Sequence, residues 1–206
     1  MEYNMQNILI FCWLFFLLYW FVSAFSVKPT QEVKWSPSRF RWIACGIIFV
    51  ILLASKVGVF NFLHLPACTI SWWGCHFNLF HPSSSVSPFI QMIGVIFTIA
   101  GLIVAVIARK TLGSNWSSDI ELKKNHELIT KGIYGYVRHP IYTGILMMGL
   151  GSLLFFHTEG LIIIYLFVIL FCVFKLINEE ALMLKHFPKE YKGYKKRVKA
   201  LIPFIL

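Results

Sequence analysis

The chain has 206 residues, 58% of them hydrophobic and 14% charged, with a formal net charge of +10. Soluble domains run at about 45–50% apolar and about 25% charged residues, so this composition excludes an ordinary soluble fold. From Val57 to Ala108 there is no Asp, Glu, Lys or Arg, and from Met1 to Val27 only Glu2; a bilayer accommodates such runs. The positive charges flank these runs instead of forming one basic face, which argues against a nucleic-acid partner and for the positive-inside rule.

A spanning helix needs ~20 mostly apolar residues. The first candidate is Asn7 to Ser26, read as a retained helix because no Lys or Arg precedes it and no small-residue cleavage site follows. The second runs from Phe40 to about Leu63. The third runs from Pro88 to Ala108, with its proline in the first turn where the missing N–H costs nothing. The fourth runs from Pro140 to His157 and the fifth from Leu161 to Asn178, joined by a tight break at Thr158-Glu159-Gly160. The expected fold is therefore all-α, a polytopic membrane protein of about five transmembrane helices with a cytoplasmic C-terminal pocket. Residues 1–110 would form an N-terminal three-helix region. Residues 111–206 would form a C-terminal catalytic region with a helical hairpin and a basic tail.

Lys28, Lys34, Arg39 and Arg41 lie between the first two spans; Arg109, Lys110, Lys123, Lys124, Lys131 and Arg138 lie between the third and fourth. Lys185 to Lys199 carry seven more cations at the end. The alternation places the N-terminus outside and the C-terminus in the cytoplasm. The tail is expected on the anionic inner leaflet, with Tyr191 and Tyr194 at headgroup level. Apart from Arg41 at the edge of the second span, only Lys56 and Lys175 are cationic within the spans; Lys56 can snorkel outward. The expected outer loop carries Cys68 and Cys75, for which a disulfide and free thiols both remain open. Its histidines and cysteines match no standard zinc spacing, so no metal is assigned. Cys12, Cys45 and Cys172 read as packing residues.

Chemistry is expected where polar sequence meets membrane depth. Thr111 to Arg138 is too polar to span, and the fifth helix ends in Asn178-Glu179-Glu180 with Lys175 one turn earlier. Lys175 and Glu179, four apart, share a helix face. On spacing alone two readings stand. The carboxylates close a solvated helix end by salt bridges to Lys185 or Lys175, or they line a pocket for a small charged ligand with the Tyr134–Tyr142 segment.

Several features recur in a fixed order. They are Ser114-Asn115-Trp116, His126-Glu127-Leu128-Ile129, Gly132-Ile133-Tyr134, and Arg138-His139-Pro140-Ile141-Tyr142-Thr143-Gly144. After one hairpin follow Glu179-Glu180, Phe187, Glu190-Tyr191, Tyr194, Lys196-Arg197-Val198 and Leu201-Ile202-Pro203-Phe204. In these features the chain from about Ser114 onward resembles the isoprenylcysteine carboxyl methyltransferase family. The resemblance implies S-adenosylmethionine as methyl donor. It also implies cofactor contacts from Glu121, His126, Glu127, Leu128, Ile129, Tyr134, His139, Pro140, Ile141, Tyr142 and Glu179.

Lys175 stands where that family carries an arginine, and is expected to hold a carboxylate acceptor. Lys175, Arg138 and Tyr142 are the expected catalytic residues. Glu179 would pair the donor's ammonium, while His139 and nearby backbone N–H groups would hold its carboxylate. Tyr134 and Tyr142 would offer π faces. The expected function is an integral membrane methyltransferase acting on a lipophilic acceptor that enters from the bilayer, most simply an isoprenylcysteine-like carboxylate. The alternatives are a phospholipid or other small-amine or thiol methyltransferase, or a non-enzymatic membrane carrier. A carrier should show internal repeats, and none is visible.

Overall fold

A computed structural model of the chain describes residues 2–28, 30–35, 69–72, 75–78, 86–117, 119–123 and 127–202. Five helices are described: α1 (Glu2–Ser23), α2 (Pro88–Leu112), α3 (Pro140–Phe156), α4 (Glu159–His186) and α5 (Pro188–Arg197). Four short strands complete them: β1 (Thr30–Trp35), β2 (Thr69–Trp72), β3 (Cys75–Asn78) and β4 (Ile120–Lys123). The second expected span, with Lys56 and Cys45, lies outside the described residues, as does Cys68.

Among the described residues three helices are long and apolar enough to cross a membrane: Asn4–Ser23, Pro88–Asn115 and Gly160–His186, while α3 is a shorter apolar helix. Their outward faces carry Phe11, Leu18, Phe21, Leu166, Phe167 and Leu170, all exposed. In water such faces would aggregate; against acyl chains they are at home. The chain is an integral membrane protein of helical architecture.

The helix boundaries follow from local chemistry. Pro88, Pro140 and Pro188 open α2, α3 and α5 in the first turn, where proline's fixed φ suits a helix start. α2 stops at Gly113, whose φ of +54° is left-handed, a conformation cheap only for glycine. Between α3 and α4 only His157 and Thr158 intervene, and the Thr158 side chain accepts from the Leu161 N–H at 3.4 Å. The expected hairpin is present, its break lying one residue earlier than the sequence suggested. α4 runs two turns beyond the expected Asn178.

Backbone contact through small residues holds α2 and α3 together. A Cβ placed on Gly101 would lie 2.6 Å from the Gly144 carbonyl oxygen, and one on Gly94 would lie 2.6 Å from that of Gly151. These pairs run in opposite chain directions, so the two helices are antiparallel. Close approach through small residues is how helices associate where no hydrophobic force acts between them. α1 packs on this pair through two layers, Leu9 with Val95 and Phe155, and Phe16 with Ala105 and Met148. The Trp13 indole N–H donates to Ser152 at 2.9 Å.

The order of those layers makes α1 and α2 parallel. Both helices finish together. Arg109, 3% exposed, donates to the Ser23 carbonyl at 2.6 Å and to that of Gly113 at 2.7 Å, and its guanidinium lies 4.4 Å from the Trp116 ring centroid. β1 pairs antiparallel with β4, and β2 separately with β3. The first ladder puts the segment after α1 and the segment after α2 at one end of the bundle. The Val137–Lys199 bridge brings the tail to the segment before α3. The described parts of all three segments rich in Lys and Arg therefore share one side.

Candidate functional site

The site forms where α3 begins and α4 nears its end. Successive residues of a helix are about 100° apart around its axis, so Glu179 and Glu180 face different neighbours. Glu180, 5% exposed, takes Arg138, whose Nε and Nη2 donate to its Oε1 at 2.8 and 2.6 Å. The Lys195 ammonium meets its other oxygen. The remaining Arg138 nitrogen donates to the carbonyls of Val198 and Lys195. Arg138 thus clamps the segment before α3, the end of α4 and the tail into one unit.

Glu179 faces the apolar side of the cluster. The Tyr142 hydroxyl donates to its Oε1 at 2.5 Å, Lys175 Nζ lies 3.7 Å from the same oxygen, and His139 Nδ1 lies 3.6 Å from Oε2. The His139 and Tyr142 rings stack at 5.6 Å, and Lys175 Nζ stands 5.8 Å from the Tyr142 ring centroid. Lys175 is only 5% exposed; a charge so placed on an apolar helix is costly without such company. His139 Nε2 sits 3.5 Å from Glu180 but without hydrogen-bond geometry, and it is a buried nitrogen with an unmet hydrogen bond among the described residues.

A second wall stands beside this cluster. A cleft of about 610 Å³ is lined by Glu127, Leu128 and Thr130 on one side and by Phe187, Lys189, Glu190, Gly193, Tyr194 and Arg197 on the other. Its size falls in the range of about 300–1,000 Å³ typical of small-molecule sites. Tyr194 joins cleft to cluster, since its hydroxyl donates to the Tyr134 carbonyl at 2.5 Å. Burial first, then the nearby Glu179 and Tyr194, hold the Tyr134 phenol well above its ordinary value of 10, so it stays neutral.

Of the residues singled out in the sequence, Tyr134, Arg138, His139, Pro140, Tyr142, Lys175 and Glu179 come together here. Ile141 occupies the first turn of α3, while Glu127, Leu128 and the adjoining Ile129 belong to the cleft segment. Glu121 lies on β4 opposite Val33, but its side chain and all of His126 lie outside the described residues.

Two details of this region bear on what the sequence suggested. Tyr191 and Tyr194 do not present their rings to lipid: both are 3% exposed, because α5 turns its aromatic face inward and leaves its lysines outside. The backbone N–H groups of Arg138 and His139 are not open to a ligand, since they donate to the carbonyls of Lys199 at 2.8 Å and Ala200 at 3.0 Å. The clamp on Glu180 was not foreseen in the sequence beyond its general reading as a salt-bridged helix end. Two adjacent carboxylates at a 100° offset were the available signal.

Residues 92–186 match the model of the isoprenylcysteine carboxyl methyltransferase family. The protein-S-isoprenylcysteine O-methyltransferase of Xenopus laevis is 30% identical over 210 residues, covering 92% of this chain and 72% of that protein. The chain belongs to this family. Family membership agrees with the ordered motifs from Ser114 onward. The enzymes of the same name from Rattus norvegicus and Saccharomyces cerevisiae are 30% and 32% identical. Those matches cover 62% and 55% of this chain but 46% and 49% of the relatives, so the chain spans about half of their length. A solved structure of the eukaryotic intramembrane Ras methyltransferase of the family superposes with a TM-score of 0.52 at 30% identity, covering 57% of this chain and 43% of that one.

Proposed function

We propose that this chain is an integral membrane methyltransferase that uses S-adenosylmethionine to methylate the carboxylate of an isoprenylcysteine-like lipid. The observation that carries the reading is the placement of Lys175 and Glu179 on one face of α4, beside Tyr142 and His139, in a member of this family. The division into residues 1–110 and a catalytic region 111–206 is part of the same reading. Every described site residue belongs to the second part, and α1 and α2 brace α3 from the first.

The residues present fit such a donor. Glu179, partly exposed, is a carboxylate for its ammonium, and the His139 ring beside it would meet its carboxylate. The cleft lined by Glu127, Leu128 and Tyr194 has room for a nucleoside. When bound, the donor supplies an activated methyl group. The chain's own task is alignment and drying. Lys175 holds the acceptor carboxylate as a point charge, while Tyr142 fixes Glu179 and the stacked rings exclude water from the reacting oxygen. Arg138 acts as a positioning residue, with its donors spent on Glu180 and the tail. No described metal cluster is required by this chemistry.

The basic segments face the cytoplasm in this reading, with the N-terminus outside. Cysteine labelling of Lys131→Cys and Lys195→Cys should report one side, and opposite sides would overturn that orientation. The division of roles is tested on two variants by calorimetry of donor binding and by methylation rate. Glu179→Gln should weaken donor binding, and Lys175→Met should spare it while slowing turnover. Each change should be about tenfold to a hundredfold, the equivalent of a lost charge-assisted hydrogen bond of ~1.5–3 kcal/mol. If Lys175→Met impaired donor binding as much as Glu179→Gln, the division would be wrong.

A further inference from the structure

Outside the site just described, a smaller cavity of about 340 Å³ is lined by Gly135, Tyr136, Arg197 and Lys199. The two cations come from the tail and the other wall from the short helix Gly132–Gly135 and the residue that follows it. The walls are stitched together by the Val137–Lys199 bridge and by the Arg138 N–H on the Lys199 carbonyl. The cavity is therefore a fixed feature of the backbone, even though the side chains of Tyr136, Arg197 and Lys199 are exposed. Among the described residues neither cation has a carboxylate partner.

Position decides what such a cavity meets. Tyr136 stands four residues before Pro140, where apolar α3 begins, so the cavity lies at the depth of lipid headgroups. An exposed tyrosine with Lys and Arg at that depth is the usual composition of a membrane interface. A planar guanidinium beside an ammonium suits a phosphate oxygen pair. We propose that Gly135, Tyr136, Arg197 and Lys199 form a binding site for the phosphate headgroup of an anionic phospholipid. Occupancy would pin the tail to the segment that carries Arg138 and His139. This site is separate from the methyl-transfer cleft, although Arg197 stands at the edge of both.

The test reads lipid retention and not methyl transfer, so it stands whatever the acceptor proves to be. Native mass spectrometry of the full chain in detergent, with equal phosphatidylglycerol and phosphatidylcholine, should show preferential retention of phosphatidylglycerol. The double variant Arg197→Gln, Lys199→Gln should lose that preference by roughly twenty-five-fold, two cations at about fivefold each. Its melting temperature should be unchanged, since among the described residues neither side chain has a carboxylate partner to lose. Lys192→Gln with Lys196→Gln removes the same charge from the same tail without touching the cavity, and should keep the preference. Equal retention of both lipids, or equal loss in both double variants, would overturn the proposal. So would displacement of the lipid by low-millimolar inorganic phosphate, which would assign the site to a free anion instead.

Discussion

Two carboxylates side by side in a largely apolar helix would repel each other and raise the cost of burial, were each not met by its own cations. Glu180 is spent on the fold and Glu179 is left for chemistry. Glu180→Gln leaves the buried Arg138 charge without its counter-ion, which should cost about 3–5 kcal/mol; the contribution of half-exposed Lys195 is small by comparison. Glu179→Gln keeps an acceptor for Tyr142 and should cost about 1 kcal/mol. Thermal unfolding in detergent ranks the two, and equal losses would refute the division. Tyr194 carries a pH signature. Burial, opposed by Arg138 and reinforced by Glu180, lifts its phenol from 10 to about 12. A folded value above the unfolded one means that its stabilisation is complete below pH 10 and lost as pH rises through about 12. Tyr194→Phe should lower stability at pH 8 by about 1–3 kcal/mol, the cost of an unmet buried carbonyl. The gap to the parent chain should narrow between pH 10 and 12. A constant gap across that window would mean the phenol does not titrate there.

The helices were legible because their apolar runs are long and uninterrupted, and because Pro88 and Pro140 mark two starts. Their ends were less so. α4 continues past Asn178 since Glu180 finds Arg138 across the bundle, and no local pattern announces a partner 42 residues away. The β1–β4 ladder was invisible for the same reason, as Thr30–Trp35 is a short polar stretch whose partner lies on another loop. α5 misled by composition: its lysines suggested a surface helix, while its two tyrosines face inward. The small residues of α2 and α3 make a sharper prediction. Gly101→Val would drive a side chain into the Gly144 carbonyl at 2.6 Å and the Met148 backbone nitrogen at 2.7 Å. Backbone atoms cannot swing aside, so the cost should reach the upper end of overpacking, about 3 kcal/mol. An unchanged melting temperature would show that α2 and α3 are not in contact there.

Across the bundle, α1 and α2 descend in parallel, α3 returns, and α4 descends again to carry the site to the end where the basic segments gather. The ordered motifs made most of the site legible, because Tyr134 to Tyr142 and Lys175 to Glu179 are each continuous in sequence. What they did not reveal is that the Glu127–Leu128 segment faces α5 across a cleft of its own, an arrangement that depends on how the tail folds back through Tyr194 and Arg138. The methyl-transfer reading requires both walls and the α4 cluster to serve one reaction. Incubation of the full chain in nanodiscs with methyl-labelled S-adenosylmethionine and an S-farnesylated cysteine bearing a free carboxylate tests this most directly. Expected is label recovered as a base-labile methyl ester, formed by the parent chain and reduced tenfold or more by Glu179→Gln. Label found only on phospholipid amines, or no transfer by the folded parent chain, would contradict it.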